Sequence, residues 1–458
     1  MISDYTRSNG LALRRPADGS GRGSLGRTVG YVLFFLMLTF PMAPKLLQIK
    51  GALFAATVYF SVLMILWRQS TQLAWQVICW GVALAGIGAS FVLLGGVSGT
   101  SGEAILQSIQ IYVAWPLAYL VLVSPASELR TLFALNRVAV LSALAIGAYG
   151  LTYVLAQLNF IPNWQVLTWL SFGLREGIGL HGQHTEIDSI GINSLAFLVP
   201  FVIGLLAFAY DGVAVKVPRS WLWAATVLDL AVILLSGRRA LFVVVIAAVP
   251  VATVIAASPA KGRSRMGRSI GIAIFAAIGL IVLGQFISLL YPKFAFSGAW
   301  RFLAEGFELT SSSPDYAARV RAEEFASLID GFAQAPLFGH GLGTSAEVIR
   351  SSKSPWSYEL SYAALLFHVG LVGVLIYLSA VLWIYRSALR IIRANAELRW
   401  LMWSILLGMT GMLIANATNP YLDRFDGLWA LFWPLSVVNY WLTRCNNQSA
   451  FRHEDISR

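Results

Sequence analysis

Apolar stretches long enough to cross a bilayer as helices recur from residue 28 to residue 443, separated by polar breaks. Twelve segments are read this way, near 28–44, 51–67, 74–96, 104–123, 136–158, 189–210, 220–236, 239–257, 269–290, 357–385, 400–416 and 427–443. Helix is the form they predict, because in hydrocarbon each backbone donor and acceptor must be satisfied within its own segment. The alternation of half-buried strands that a membrane barrel needs is absent from the pattern. The expected fold is an all-α polytopic integral membrane protein with about 12 transmembrane helices in one domain, residues 28–443.

The polar breaks are unequal. Residues 1–27 form an Arg-bearing, Gly- and Ser-rich tail expected to be disordered, and 444–458 a short solvated one. No small-residue cleavage site follows the first apolar segment, which therefore reads as a retained anchor. Two loops, 159–188 and 291–356, are long enough to build something. The second predicts a short helix of its own: Ser313 suits the N-cap and Pro314 the first helical position. Arg321, Phe325, Leu328 and Phe332 then share one face. The plain reading is an interfacial helix, with Arg321 reaching a lipid phosphate.

Composition agrees with this class: of 458 residues, 57% are hydrophobic and 12% charged. With the N-terminus inside, 21 of the 33 Lys and Arg residues fall in inner segments, as the positive-inside rule requires. The net charge of +11 is then largely topological. No basic domain with interleaved aromatics stands apart from it, so nucleic acid is not an expected partner. Cys79 and Cys445 lie in separate segments and predict no disulfide.

Outer arginines are the exceptions to that bias: Arg175, Arg238, Arg239, Arg301, Arg319, Arg321 and Arg350. Long outer loops tolerate charge, which suffices for Arg301, Arg350 and Lys353. It does not suffice for Arg238 and Arg239, whose loop is almost absent. Charge so close to the hydrocarbon is costly and points to an anionic ligand, although contact with lipid phosphates is the simpler alternative. In the first loop, His181, His184, Glu186 and Asp188 match no zinc or calcium spacing, so polar or sugar contacts are expected rather than metal. Ala335-Pro-Leu-Phe-Gly-His-Gly-Leu-Gly-Thr344 has neither a preceding strand nor a following Lys-Ser/Thr. It predicts a sharp turn back to the bilayer, not a nucleotide loop. Trp164, Trp169 and Trp356 suit either sugar stacking or an interfacial belt.

Several of these pieces occur in a particular order. Ser236-Gly-Arg-Arg-Ala-Leu241 precedes Arg321 with Phe325, then Pro336-Leu-Phe-Gly-His-Gly-Leu-Gly343, then Tyr362 and Gly370-Leu-Val-Gly373. Over roughly residues 170–385 this series resembles the superfamily of O-antigen ligases and Wzy-type polysaccharide polymerases. The resemblance implies a GT-C-like, metal-independent and cofactor-free glycosyltransferase of the bacterial inner membrane, with both termini cytoplasmic and the site facing the periplasm. Donor and acceptor would be undecaprenyl-diphosphate-linked oligosaccharides, in contact with membrane lipids and with a protein that regulates chain length. Arg239 and Arg321 would clamp the donor diphosphate, with Arg238 and Arg319 beside them; Arg175, His181, His184, Tyr358 and Tyr362 would be substrate contacts.

Ligases of this superfamily carry a histidine eleven residues before the glycine matching Gly370; here that position is Glu359. A carboxylate there would serve as general base towards an acceptor hydroxyl, or would simply pair with an outer arginine at its helix start. Tyr358-Glu359-x-x-Tyr362 resembles some polymerases better than ligases. The alternatives are an O-antigen ligase or protein O-oligosaccharyltransferase and, from another class, a polytopic transporter, for which Asp229 is the main intramembrane charge.

Overall fold

The computed structural model describes residues 21–67, 72–157, 160–162, 165–172, 177–181, 184–188, 190–210, 215–236, 238–256 and 316–456. Among these, seven helices are long and apolar enough to cross a membrane, which makes the chain a multi-pass α-helical membrane protein. In chain order the helices are α1 (Gly21–Thr39), α2 (Leu47–Leu66), α3 (Trp75–Val97), α4 (Gly102–Ile109), α5 (Trp115–Ala126), α6 (Leu129–Gln157) and α7 (Gln165–Leu170). After these come α8 (Leu195–Tyr210), α9 (Arg219–Ser236), α10 (Arg239–Ala256), α11 (Tyr316–Gln334), α12 (Ser361–Ala394), α13 (Ala396–Asn416) and α14 (Trp429–Ile456). One π-helical turn, Gln110–Ala114, joins α4 to α5.

The apolar periodicity located these helices well and their ends less well. Helix α1 starts at Gly21, inside the tail expected to end at residue 27, and α14 continues to Ile456 through the expected C-terminal tail. The segment near 269–290, with Ser313 and Pro314, lies outside the described residues. The first long loop holds more than polar chain. It contains α7 and an antiparallel hairpin, β1 (Gly177–His181) with β2 (His184–Asp188). His181 is paired with His184 at the hairpin's closed end, so these two positions are adjacent in register.

Helix α13 occupies the middle of the bundle, packed on α8, α10, α12 and α14, while α6 packs on α9. Small residues allow the close crossings. A Cβ on Gly411 of α13 would fall 2.3 Å from the Ala196 carbonyl oxygen of α8. In lipid the hydrophobic effect does little to drive helices together, so close packing of this kind carries much of the association. An aromatic cluster fills the centre: the Trp433 ring lies 5.4 Å from Phe34, 5.6 Å from Phe197 and 5.0 Å from Phe201.

The connections that cluster at one end of this bundle are tied together by polar contacts. Lys50, fully buried, donates to Asp426 Oδ2 at 2.5 Å and to the Phe40 carbonyl at 2.9 Å. The same carboxylate oxygen accepts from the Met42 amide at 3.1 Å. Asn193, before α8, contacts Met42 Sδ at 3.1 Å. The α1–α2 connection is thereby joined to the segment before α14 and to the start of α8. The Tyr362 hydroxyl donates to the Leu413 carbonyl at 2.6 Å, which brings the start of α12 to the same end.

Candidate functional site

The glycine-rich segment after α11 is a backbone insertion. Helix α12 breaks at Gly370, whose φ of 61° and ψ of −171° take it out of the helix. The break frees the carbonyls of Phe367 and His368, which accept from the amides of His340 at 3.0 Å and Gly341 at 2.8 Å. In return, the amides of Leu371 and Val372 donate to Pro336 and Leu337 at 2.9 and 3.0 Å. On its other side the Leu342 amide donates to Phe91 of α3 at 2.9 Å. Irregular backbone of this kind is tolerated among membrane helices only where protein satisfies it, as here.

These contacts explain two glycines directly. A Cβ on Gly370 would sit 2.4 Å from the Leu337 oxygen, and one on Gly341, at φ 92°, 2.1 Å from the Gly95 nitrogen. The expectation that this stretch turns sharply is met, and the turn is clasped between α3 and α12. Both histidines of the region are used in that packing. His340 bonds the Gly331 carbonyl and stacks on Phe367, while buried His368 bonds the Thr344 carbonyl.

Clamping this segment fixes how the polar chain between it and α12 lies against α11. Helix α11 packs on α12, so the interfacial reading does not describe it fully. Its buried side is formed by Ala322, Glu324 and Leu328, whereas Phe325, expected on the apolar stripe, is 37% exposed. The reason is tertiary: Glu324, 1% exposed, accepts at Oε1 from the backbone amides of Glu359 at 2.9 Å and Leu360 at 3.2 Å. An acid from one helix thus holds the approach to the next.

Around Glu324 and Glu359 two arginines converge. Arg321 Nε donates to Glu359 Oε2 at 2.9 Å and Arg350 Nη2 to Oε1 at 2.6 Å. Arg350 Nη1 also stands 3.5 Å from Glu324 Oε2. The carboxylate of Glu359 is therefore bracketed by guanidinium groups, one on each oxygen. A carboxylate has about four lone-pair sites, so each oxygen keeps capacity for a further donor. Arg321, Arg350 and Glu359 are each between a quarter and a third exposed, so this cluster is accessible from outside the bundle.

Packing beneath the cluster is supplied by Tyr358, 3% exposed, whose hydroxyl accepts from the Ala346 amide. Burial raises the Tyr358 pKa, and the Ala346 amide lowers it by a smaller amount. The hydroxyl thus stays protonated at neutral pH, and its place is structural. Tyr362 is more open at 43% exposed, and Trp356 donates from Nε1 to Gln107 of α4 at 2.9 Å. Trp169 is 79% exposed on α7.

Arg238 has a separate setting at the α9–α10 junction. Its carbonyl accepts the first amide bonds of α10, from Leu241 and Phe242, and its amide donates to Ser236 Oγ at 3.3 Å. The Ser-Gly-Arg-Arg sequence is thus a tight helix-to-helix connection with Arg238 at the start of α10. Its Nη1 donates to Asn193 Oδ1 at 2.7 Å. Asn193 contacts Met42, so Arg238 belongs to the same end of the bundle as Tyr362 and the loop containing Asp426.

Arg321 and Glu359, two of the residues expected from the sequence, are therefore in contact, and Arg238 lies at the same end of the bundle without a described contact to either. Arg239 opens α10, but its side chain, and all of Arg175, lie outside the described residues, as do the side chains of His181 and His184. Arg319 is exposed, two residues from Arg321 on a different face of α11. Asp229 is fully buried in α9 against Gly147 of α6.

Arg350 and Glu324 were missed by sequence reasoning. Loop length alone accounted for Arg350, and nothing local distinguishes it; only the fold brings it to Glu324 and Glu359. No model of a known protein family and no curated protein matches this chain.

Proposed function

We propose that this protein is a Wzy-type polymerase with about 12 transmembrane helices in a GT-C-like arrangement. It joins undecaprenyl-diphosphate-linked oligosaccharide repeat units at the periplasmic face of the bacterial inner membrane. The observation that carries this reading is the convergence of Arg321 and Arg350 on Glu359, at the bundle end where Arg238 also lies. Two cations around one carboxylate suit a reaction in which a diphosphate leaving group gains negative charge while a proton is removed from the acceptor.

In that reaction the acceptor sugar hydroxyl attacks the anomeric carbon of the donor glycan. The new C–O bond forms as the bond from that carbon to the diphosphate breaks, and its electron pair stays on the diphosphate oxygen. Arg239 and Arg321 bind the diphosphate, with Arg238 as a neighbour and Arg319, on another face of α11, as an alternate; forked guanidinium donors stabilise charge developing in a partly dehydrated site. Arg350 joins this set. Glu359 takes the acceptor proton, and Arg175, His181, His184 and Tyr362 contact sugar. Tyr358, buried, supports Glu359 instead.

The test is complementation of a strain lacking the protein with Arg239→Ala, Arg321→Ala and Glu359→Gln, reading surface glycan on a gel and checking protein level by immunoblot. Polymerase activity requires that the deletion strain attach single repeat units and no polymer, and that each variant reproduce that pattern. Loss of all glycan transfer to the final acceptor would instead indicate a ligase. Wild-type polymer from Glu359→Gln would remove it as the base.

A further inference from the structure

A groove runs between α1, α2, α5 and α14, with α6 at its end farther from this cluster. About 820 Å³ not filled by atoms lies along it, open solvent on its one open side included. Its walls are apolar, with Phe34, Phe60, Met64 and Phe432 among the lining residues. Most polar side chains along it are already committed. The hydroxyls of Thr57, Ser61 and Ser436 donate to carbonyls of their own helices, and that of Tyr119 to Phe425.

Three lining atoms are not committed. Arg27 Nε, Thr131 Oγ1 and Trp433 Nε1 are buried and have no hydrogen-bond partner among the described residues. Burying such a group unpaired is unfavourable, so a ligand supplying acceptors is favoured there. Arg27 lies near the start of α1 and Thr131 in the first turn of α6, so both belong to the polar end of the groove. Arg27 is also paired through Nη2 with Glu128 Oε2 at 2.8 Å; the two side chains are 30% and 22% exposed. This end of the groove therefore has a cation on its wall, Arg27, with its partner anion Glu128 beside it, next to an apolar channel.

We propose that this groove is a binding site for a membrane phospholipid with a phosphoethanolamine headgroup, drawn from the leaflet opposite the Arg321–Glu359 cluster. One acyl chain lies along the apolar walls. The phosphate accepts from Arg27 and Thr131, and the primary ammonium donates to Glu128. The headgroup's two charges thus match the ion pair in reverse. Phosphatidylglycerol lacks the cation, and the trimethylated nitrogen of phosphatidylcholine has no proton to donate. The site is independent of the activity proposed above.

Native mass spectrometry tests it on the delipidated full-length protein, offered an equimolar mixture of phosphatidylethanolamine, phosphatidylglycerol and phosphatidylcholine with identical chains. A partly exposed ammonium–carboxylate contact corresponds to a preference of about 2- to 5-fold for phosphatidylethanolamine over either competitor. Glu128→Gln should abolish the preference over phosphatidylcholine, and Thr131→Val should lower retention of all three lipids. Gly30→Leu, pointing towards Thr57 across the groove, should exclude them. Equal retention of the three lipids by the wild-type protein, or a preference for phosphatidylglycerol, overturns the proposal, and that arm depends on no variant.

Discussion

Replacing Glu324 separates the hydrogen-bonding role of this side chain from its charge. One oxygen, Oε1, accepts from two backbone amides, while the other stands 3.5 Å from a partly exposed Arg350. Glu324→Gln keeps a carbonyl oxygen for the amides and loses only the charge. A partly exposed ion pair at that distance contributes up to about 1 kcal/mol. Glu324→Ala instead leaves the amides of Glu359 and Leu360 without their acceptor, at about 1–3 kcal/mol each. The local opening free energy at the start of α12 should then fall by about 2–6 kcal/mol, against about 1 kcal/mol or less in the glutamine variant.

Hydrogen–deuterium exchange of the peptide covering 356–362 reads this difference directly. At about 1.4 kcal/mol per tenfold, exchange should accelerate at least roughly 30-fold in Glu324→Ala and less than about tenfold in Glu324→Gln. Polymer formation should follow the same order, because the two amides position the backbone that carries Glu359. Equal acceleration in the two variants would show that charge, not the amide contacts, holds this segment. Unchanged exchange in Glu324→Ala would refute the reasoning altogether.

Other outcomes follow from the same contacts. Arg350→Ala should reduce polymer on a surface-glycan gel as severely as Arg321→Ala, and Arg350→Lys should restore little, since an ammonium cannot reproduce the guanidinium fork. Asp426→Ala strands the buried Lys50 ammonium and should cost about 3–5 kcal/mol, seen as a lower thermal transition in detergent; Lys50→Met with Asp426→Leu should recover much of it. Gly370→Ala should greatly diminish monodisperse protein in size-exclusion chromatography. Gly99→Ala, also at positive φ but in open space, should lose only about 1–2 kcal/mol. Burial raises the Asp423 pKa to about 6, against a smaller lowering by Arg424. Its stabilising contribution is present below the unfolded value near 3.8 and is lost as pH rises through about 6. The melting temperature should therefore decline less between pH 4 and 7 in Asp423→Asn than in wild type.

Much of the architecture was legible in the sequence, because the bilayer restricts the choices. A long apolar run must be a helix, and α2, α3, α6, α13 and their neighbours appear where the runs are. The loop helix was legible for a related reason, its apolar spacing, and so was the turn after it. What periodicity could not supply was side-chain direction at the site. It put Phe325 on the apolar stripe but gave no sign that Glu324 would be buried, since two amides of a segment 35 residues away need its oxygen. The hairpin at 177–188 escaped because it is too short and too polar to stand out from loop.

The sequence by itself determined the helical membrane class, the positions of most helices, and Arg321 and Glu359 as candidate chemistry, because these depend on apolar length, on charge placement and on the order of local motifs. Only the tertiary structure decided that Arg321 and Glu359 touch, that Arg350 completes their cluster, and that the glycines of 339–343 serve a backbone clasp with α3 and α12. It also decided that Arg27, on the wall of one groove, pairs with Glu128, 101 residues away in the chain. Hydrogen bonds and ion pairs act over about 3 Å, and distance along the chain says little about distances of that size in space.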